Sequence, residues 1–126
     1  MSERAPVVLL IDDEEFILAA LCRVLRGEGY EIVTAENAAA GLAVLEGRRV
    51  DLVVSDQKMP GMSGIELLEI VALRHPEIPR ILLTGWPEEI PEPRLRELGI
   101  GAMLPKPWDD KQLKETLRES LRGAGG

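Results

Sequence analysis

A single cysteine leaves the chain without any possible internal disulfide or multi-cysteine metal site. Cys22 falls among the apolar positions of a helical pattern, where it reads as a small buried hydrophobe. No apolar run approaches the ~18 residues of a membrane span. The opening Met1-Ser2-Glu3-Arg4-Ala5-Pro6 has no long apolar segment behind it and does not read as a secretory signal, so a cytoplasmic location is expected. Basic charge is also in short supply. Fifteen Lys and Arg stand against 22 Asp and Glu, a formal charge of −7, which argues against a surface for phosphate backbones. His75, the only histidine, lies beside Pro76 at the end of a helical pattern and reads as a surface helix-end residue.

What the chain does have is a fivefold alternation of short apolar runs with amphipathic stretches, in a length suited to one domain. Val7-Val8-Leu9-Leu10-Ile11 fits a strand buried on both faces. Ile17, Ala20, Leu21, Val24 and Leu25 then follow one face of a helix, which Gly27 and Gly29 end. The more polar Glu31-Ile32-Val33-Thr34-Ala35 suits a sheet edge. Asn37 caps a second helix closed by Gly47, and Leu52-Val53-Val54 is a third strand. Ser63 and Glu66 form a capping box for a third helix that stops before Pro76. Ile81-Leu82-Leu83 and Ala102-Met103-Leu104 supply strands four and five, and Asp109 with Gln112 is a second capping box, ahead of the last helix. Pro87, Pro91 and Pro93 confine the fourth helix to about Glu92–Leu98. These units predict an α/β doubly wound five-stranded parallel sheet of order 2-1-3-4-5, flavodoxin-like, with helices on both faces and a short helix 4. Residues 1–122 form the domain on this reading, and 123–126 a flexible tail or linker stub.

In such a fold the ligand site lies at the carboxyl ends of the strands. There the sequence places Asp12-Asp13-Glu14 after strand one, Ser55-Asp56 after strand three, Thr84-Gly85 after strand four and Pro105-Lys106-Pro107 after strand five. An Asp-Asp pair alone is more often a helix cap, and a lone strand-end Thr or Lys says less still. All four together bring carboxylates, a hydroxyl and an ammonium to one rim. Clustered carboxylates repel one another, and a hard divalent cation relieves that repulsion. Magnesium suits a few carboxylates plus water, and the full set suits phosphoryl transfer by positioning and charge neutralisation.

The motifs Val8-Leu9-Leu10-Ile11-Asp12-Asp13-Glu14, Asp51-Leu52-Val53-Val54-Ser55-Asp56-Gln57-Lys58-Met59-Pro60-Gly61-Met62-Ser63-Gly64, Ile81-Leu82-Leu83-Thr84-Gly85 and Leu104-Pro105-Lys106-Pro107-Trp108 carry a family likeness. From about Pro6 to Leu121 the chain resembles the receiver domains of bacterial two-component response regulators, the CheY-like superfamily. The resemblance implies that Asp56 is the phosphoacceptor, forming an acyl phosphate. It implies that Asp13 and Asp56 ligate Mg2+, that Asp12 holds a metal-bound water and that the Lys58 backbone carbonyl completes the protein ligands. Lys106 would pair with Asp56 and then with a phosphoryl oxygen, and Thr84 would swing its hydroxyl to another oxygen and pull its loop along. The family's lysine–proline bond is usually cis, here Lys106-Pro107.

Two features depart from that pattern. The usual aromatic residue three positions before the lysine is replaced by Met103, which can repack flexibly or sit as ordinary core. Prolines 87, 91 and 93 alter the helix-four surface that relays the signal in many relatives. Trp86 and Lys58 flank the site, and their bulk is expected to obstruct the water that removes the phosphoryl group, giving a long-lived phosphorylated form; Trp86 alternatively just covers apolar surface. The partners implied are a sensor histidine kinase, phosphotransfer protein or small acyl phosphate upstream and an effector domain or protein downstream, with no direct nucleic acid binding and no membrane. Gln57-Lys58 and Trp108-Asp109-Asp110 are similar to receivers joined to kinases or cyclic-nucleotide phosphodiesterase effectors. The expected role is a signalling switch and not an enzyme. Two alternatives stand beside it: a degenerate receiver that binds partners independently of phosphorylation, and a small magnesium-dependent phosphatase. For the phosphatase the short chain offers neither a second acid nor a substrate cap.

Overall fold

The computed structural model describes residues 4–125. Five strands, β1 (Val7–Ile11), β2 (Glu31–Ala35), β3 (Leu52–Asp56), β4 (Arg80–Thr84) and β5 (Ala102–Pro105), alternate with α1 (Glu15–Leu25), α2 (Ala38–Gly47), α3 (Gly64–Arg74), α4 (Glu92–Glu97) and α5 (Asp110–Gly125). All pair in parallel in the order β2-β1-β3-β4-β5, as the alternation predicts.

Strand composition follows from burial on both faces. Val7, Leu9, Ile11, Val53 and Leu82 join one cluster with Ala38 and Leu45 of α2 and Leu67, Leu68 and Val71 of α3. Their strand neighbours Val8, Leu10, Leu52, Val54, Ile81 and Leu83 point the other way, to Leu18, Leu21 and Leu25 of α1 and Leu113 and Leu117 of α5. Successive side chains alternate faces, so only unbroken apolar runs satisfy both helix layers. Each such buried Leu, Ile or Val stabilises the fold by roughly 1.5–3 kcal/mol. The edge strand β2 has Glu31 and Thr34 exposed, and Arg48 pairs with Glu31 at 2.9 Å.

Several local expectations need adjustment. The strands extend past their apolar cores, so Ser55, Asp56 and Thr84 belong to β3 and β4 themselves. Cys22 is half-buried, at the margin of the α1 face. At Asp109 and Gln112 the capping bond runs from the Gln112 N–H to Asp109 Oδ2, 2.9 Å. A 3-10 turn, Pro87–Glu89, precedes α4, which begins with Pro93 in its first turn, where a missing N–H costs nothing. The flexible tail expected at 123–126 is replaced by helix: α5 continues through Gly125, and residue 126 lies outside the described residues.

Candidate acidic site at the carboxyl edge of the sheet

Register places the chemistry. Ile11 pairs with Ser55, Asp56 with Leu83 and Thr84 with Pro105, so the ends of β1, β3, β4 and β5 finish level. Asp12, Asp13 and Asp56 each bring a carboxylate oxygen within 4.8 Å of the other two. Asp12 and Asp56 are buried, whereas Asp13 faces solvent. Lys106 Nζ donates to Asp12 Oδ2 at 2.8 Å and lies 2.9 Å from Asp56 Oδ1. The Lys106-Pro107 bond is cis. Asp12 Oδ1 accepts the Glu14 N–H at 2.9 Å, which ties the start of α1 to the same residue. Thr84 is buried, and its Oγ1 accepts the Trp86 N–H at 3.0 Å.

Electrostatics at this rim are unbalanced. Burial pushes the Asp56 carboxyl above its ordinary value; the hydrogen bond from Lys106 opposes that, and Asp12 and Asp13 add to it. Burial alone would lower the Lys106 ammonium, but its hydrogen bonds to Asp12 and Asp56 and their charges outweigh burial and raise it. Three carboxylates against one ammonium leave a surplus of negative charge on oxygen donors. That donor set fits a hard divalent cation of the magnesium type.

The flanking residues Lys58 and Trp86 meet each other. Lys58 Nζ sits 4.4 Å from the centre of the Trp86 ring and 3.4 Å from Glu89 Oε1. Trp86 is 48% exposed. Met103 is half-buried against the α2/α3 cluster, as core. The structure therefore gathers Asp12, Asp13, Asp56 and Lys106, sets Thr84 beside them with its hydroxyl engaged by its own loop, and spans Lys58 to Trp86.

Sequence reasoning missed three contributors. Lys106 bridges Asp12 as well as Asp56. Glu89 anchors Lys58, and nothing in a Pro-Glu-Glu turn signals that. Gln57, noted in the sequence only as part of a family motif, accepts the Ile65 N–H through its side chain at 2.8 Å. Its i+8 partner follows no helical or strand period, so no pattern could have found it.

The chain is similar to known proteins along nearly its whole length. The sequence model of the family described as "Response regulator receiver domain" matches residues 8–118. The transcriptional regulatory protein GlrR of Escherichia coli K12 is 36% identical over 121 residues, which cover 96% of this chain and 27% of that protein. The hydrogenase transcriptional regulatory protein HoxA of Cupriavidus necator is 35% identical over 126 residues, 99% of this chain and 26% of that one. The chain thus spans about a quarter of the length of these relatives. Among solved structures, the signal receiver domain of an HD domain-containing protein from Pseudomonas fluorescens Pf-5 superposes with a TM-score of 0.91 at 36% identity, covering 99% of this chain and 93% of that one. The response regulator TrrA of Thermotoga maritima, solved with magnesium and BeF, gives 0.83 at 32% identity, covering 92% and 99%.

Proposed function

We propose, from the premise that the chain belongs to the response regulator receiver domain family, that it is a phosphoacceptor switch in which Asp56 takes a phosphoryl group from a histidine kinase, a phosphotransfer protein or a small acyl phosphate. One observation carries the reading: Asp12, Asp13 and Asp56 converge within 4.8 Å, and Lys106 Nζ reaches both buried members.

Asp56 is the nucleophile. One carboxylate oxygen attacks phosphorus, the bond from phosphorus to the donor's nitrogen or oxygen breaks, and the electron pair leaves with the donor. An acyl phosphate on Asp56 results. Asp12, Asp13, Asp56 and the Lys58 backbone carbonyl are the groups that would hold Mg2+, with Asp12 acting through a water. When bound, the ion supplies positive charge against the carboxylates and the transferred oxygens. Lys106 retains Asp12 as a partner when Asp56 is phosphorylated, so its ammonium stays in place for a phosphoryl oxygen. Thr84 turns to donate its hydroxyl to another phosphoryl oxygen, and because its Oγ1 accepts the Trp86 N–H it draws the loop from Gly85 onward with it. Output then passes to an effector domain or separate effector protein. Among the described residues no helix is long and apolar enough to cross a membrane, in keeping with a proposed cytoplasmic setting.

Mass spectrometry after acetyl phosphate treatment tests this. One phosphoryl group is expected on the wild type with magnesium, and none without the ion or in Asp56→Asn. Labelling that survives both controls removes Asp56 from its role. A phosphorylation-independent binding module is the second reading, favoured by Met103 in the place of the usual aromatic residue and by an α4 of only six residues. Equal partner affinity for wild type and Asp56→Ala would select it.

A further inference from the structure

We infer that Gln57 is a positioning residue, one whose side chain holds the Lys58 carbonyl where a metal ion can use it. The inference rests on the magnesium site proposed above. Gln57 stands between the phosphoacceptor Asp56 and Lys58, and three of its atoms are engaged. Its N–H donates to Leu83 O at 3.0 Å, its carbonyl accepts the Gly64 N–H at 2.9 Å, and its Oε1 accepts the Ile65 N–H at 2.8 Å.

The last two bonds have a structural logic. A helix begins with four N–H groups that no helical carbonyl can satisfy. For α3 the box between Ser63 and Glu66 takes two of them, at 2.9 and 3.2 Å. Gln57 takes the other two, one with its backbone and one with its side chain. The loop from Lys58 to Ser63 is therefore closed at its base on a single residue. Close packing at the same point leaves no slack: a Cβ on Gly64 would lie 2.3 Å from Asp56 O and 2.9 Å from Gln57 Cα. Rotation of the Gln57 peptide would re-aim the next carbonyl, that of Lys58, and the Oε1 bond resists that rotation. Groups that orient metal ligands in this way typically change metal affinity 10–100-fold when removed.

The experiment uses the 126-residue chain with three variants: Gln57→Met, which keeps the shape without the acceptor; Gln57→Asn, whose acceptor is one methylene short; and Gln57→Glu, which keeps an acceptor in reach. Calorimetric titration with MgCl2 alone gives affinity, and amide exchange by NMR follows Ile65 and Lys58. Met and Asn are expected to weaken magnesium binding about tenfold and to speed Ile65 exchange. Glu is expected to bind at least as tightly as wild type. Saturating magnesium should restore the acetyl phosphate labelling rate of the Met variant, because the loss lies in affinity. Wild-type affinity in Met or Asn despite faster Ile65 exchange overturns the inference, and so does a Glu variant as weak as Met. If Met fails to fold, Asn and Glu decide the matter between them. A wild-type chain that binds no magnesium, or binds it equally as Asp13→Asn, defeats the metal site itself and the role of Gln57 with it.

Discussion

Replacing Asp56 by Asn should make the metal-free protein more stable, although it removes a charge from a salt bridge. Lys106 at 2.9 Å attracts the Asp56 carboxylate by about 6 kcal/mol at an effective dielectric near 20. Asp12 and Asp13, with oxygens within 4.8 Å, each repel it by about 3.5 kcal/mol on the same basis, and the share from exposed Asp13 falls by about half through solvent screening. Attraction and repulsion nearly cancel, so the cost of burying the carboxylate decides the sign, and it is the leading cause of the raised Asp56 pKa. Asn is neutral and its Oδ1 still accepts from Lys106. The expected gain is on the order of 1 kcal/mol, the size usual for a single substitution, or a few °C in Tm for a domain of this size. Urea and thermal unfolding in EDTA near neutral pH measure it. The sign with pH follows from the direction of the shift. Asp56's folded pKa lies above its unfolded one, so the penalty of the ionised form is complete above the folded value. It is relieved as pH falls through that value, and the two proteins should converge on acidification. Excess magnesium should reverse the order, because an ion at 100 times its Kd stabilises the wild type by about 2.7 kcal/mol. An Asn variant less stable than wild type in EDTA, or a gap that widens on acidification, would refute the reasoning.

Lys58→Ala removes both the contact over Trp86 and the pair with Glu89, and Trp86→Ala removes the ring itself. Each should shorten the lifetime of the Asp56 phosphate about threefold or more, since a contact of this kind is worth ~0.5–1 kcal/mol. Unchanged decay of phosphoprotein followed by Phos-tag gel or mass spectrometry would show that neither side chain hinders water. Gly64→Ala should cost about 2–3 kcal/mol, because its methyl would press on the Asp56 carbonyl and on Leu82. Chemical denaturation checks this, and a wild-type midpoint would mean that the β3–α3 approach has room to relax.

Elements whose order depends on local pattern were legible in the sequence. Val7–Ile11 reads as a doubly buried strand because no residue in it can face water, and Ser63 with Glu66 reads as a helix start because both capping bonds lie within four residues. The clustering of Asp12, Asp13, Asp56 and Lys106 was legible one step later, once the strand order had brought four distant segments to one edge. Contacts set by side-chain reach across loops were not. Lys58 to Glu89 spans two loops, and Arg80 looks like a polar break in an apolar strand until its buried guanidinium is seen to donate to Ile78 O and Gly99 O, both at 2.8 Å. The proline-rich segment gave the length of α4 because Pro sets where a helix can start. The 3-10 turn before it leaves no comparable signature.

That guanidinium has a mechanical consequence. Arg80 pins Gly99, just past α4, to the far end of the same strand whose near end is Thr84, and Gly99 holds a left-handed turn with φ of 69° that leaves no space for a side chain against the arginine. On the proposed reading, in which Thr84 draws its loop toward a phosphoryl group, the stretch from Gly85 to Leu98 is a lever hinged at its distal end and tugged at its proximal one. A displacement beginning at the threonine sweeps the tryptophan end through the largest arc and dies out at the glycine, which confines the moving surface to the half of the segment nearest the acidic edge.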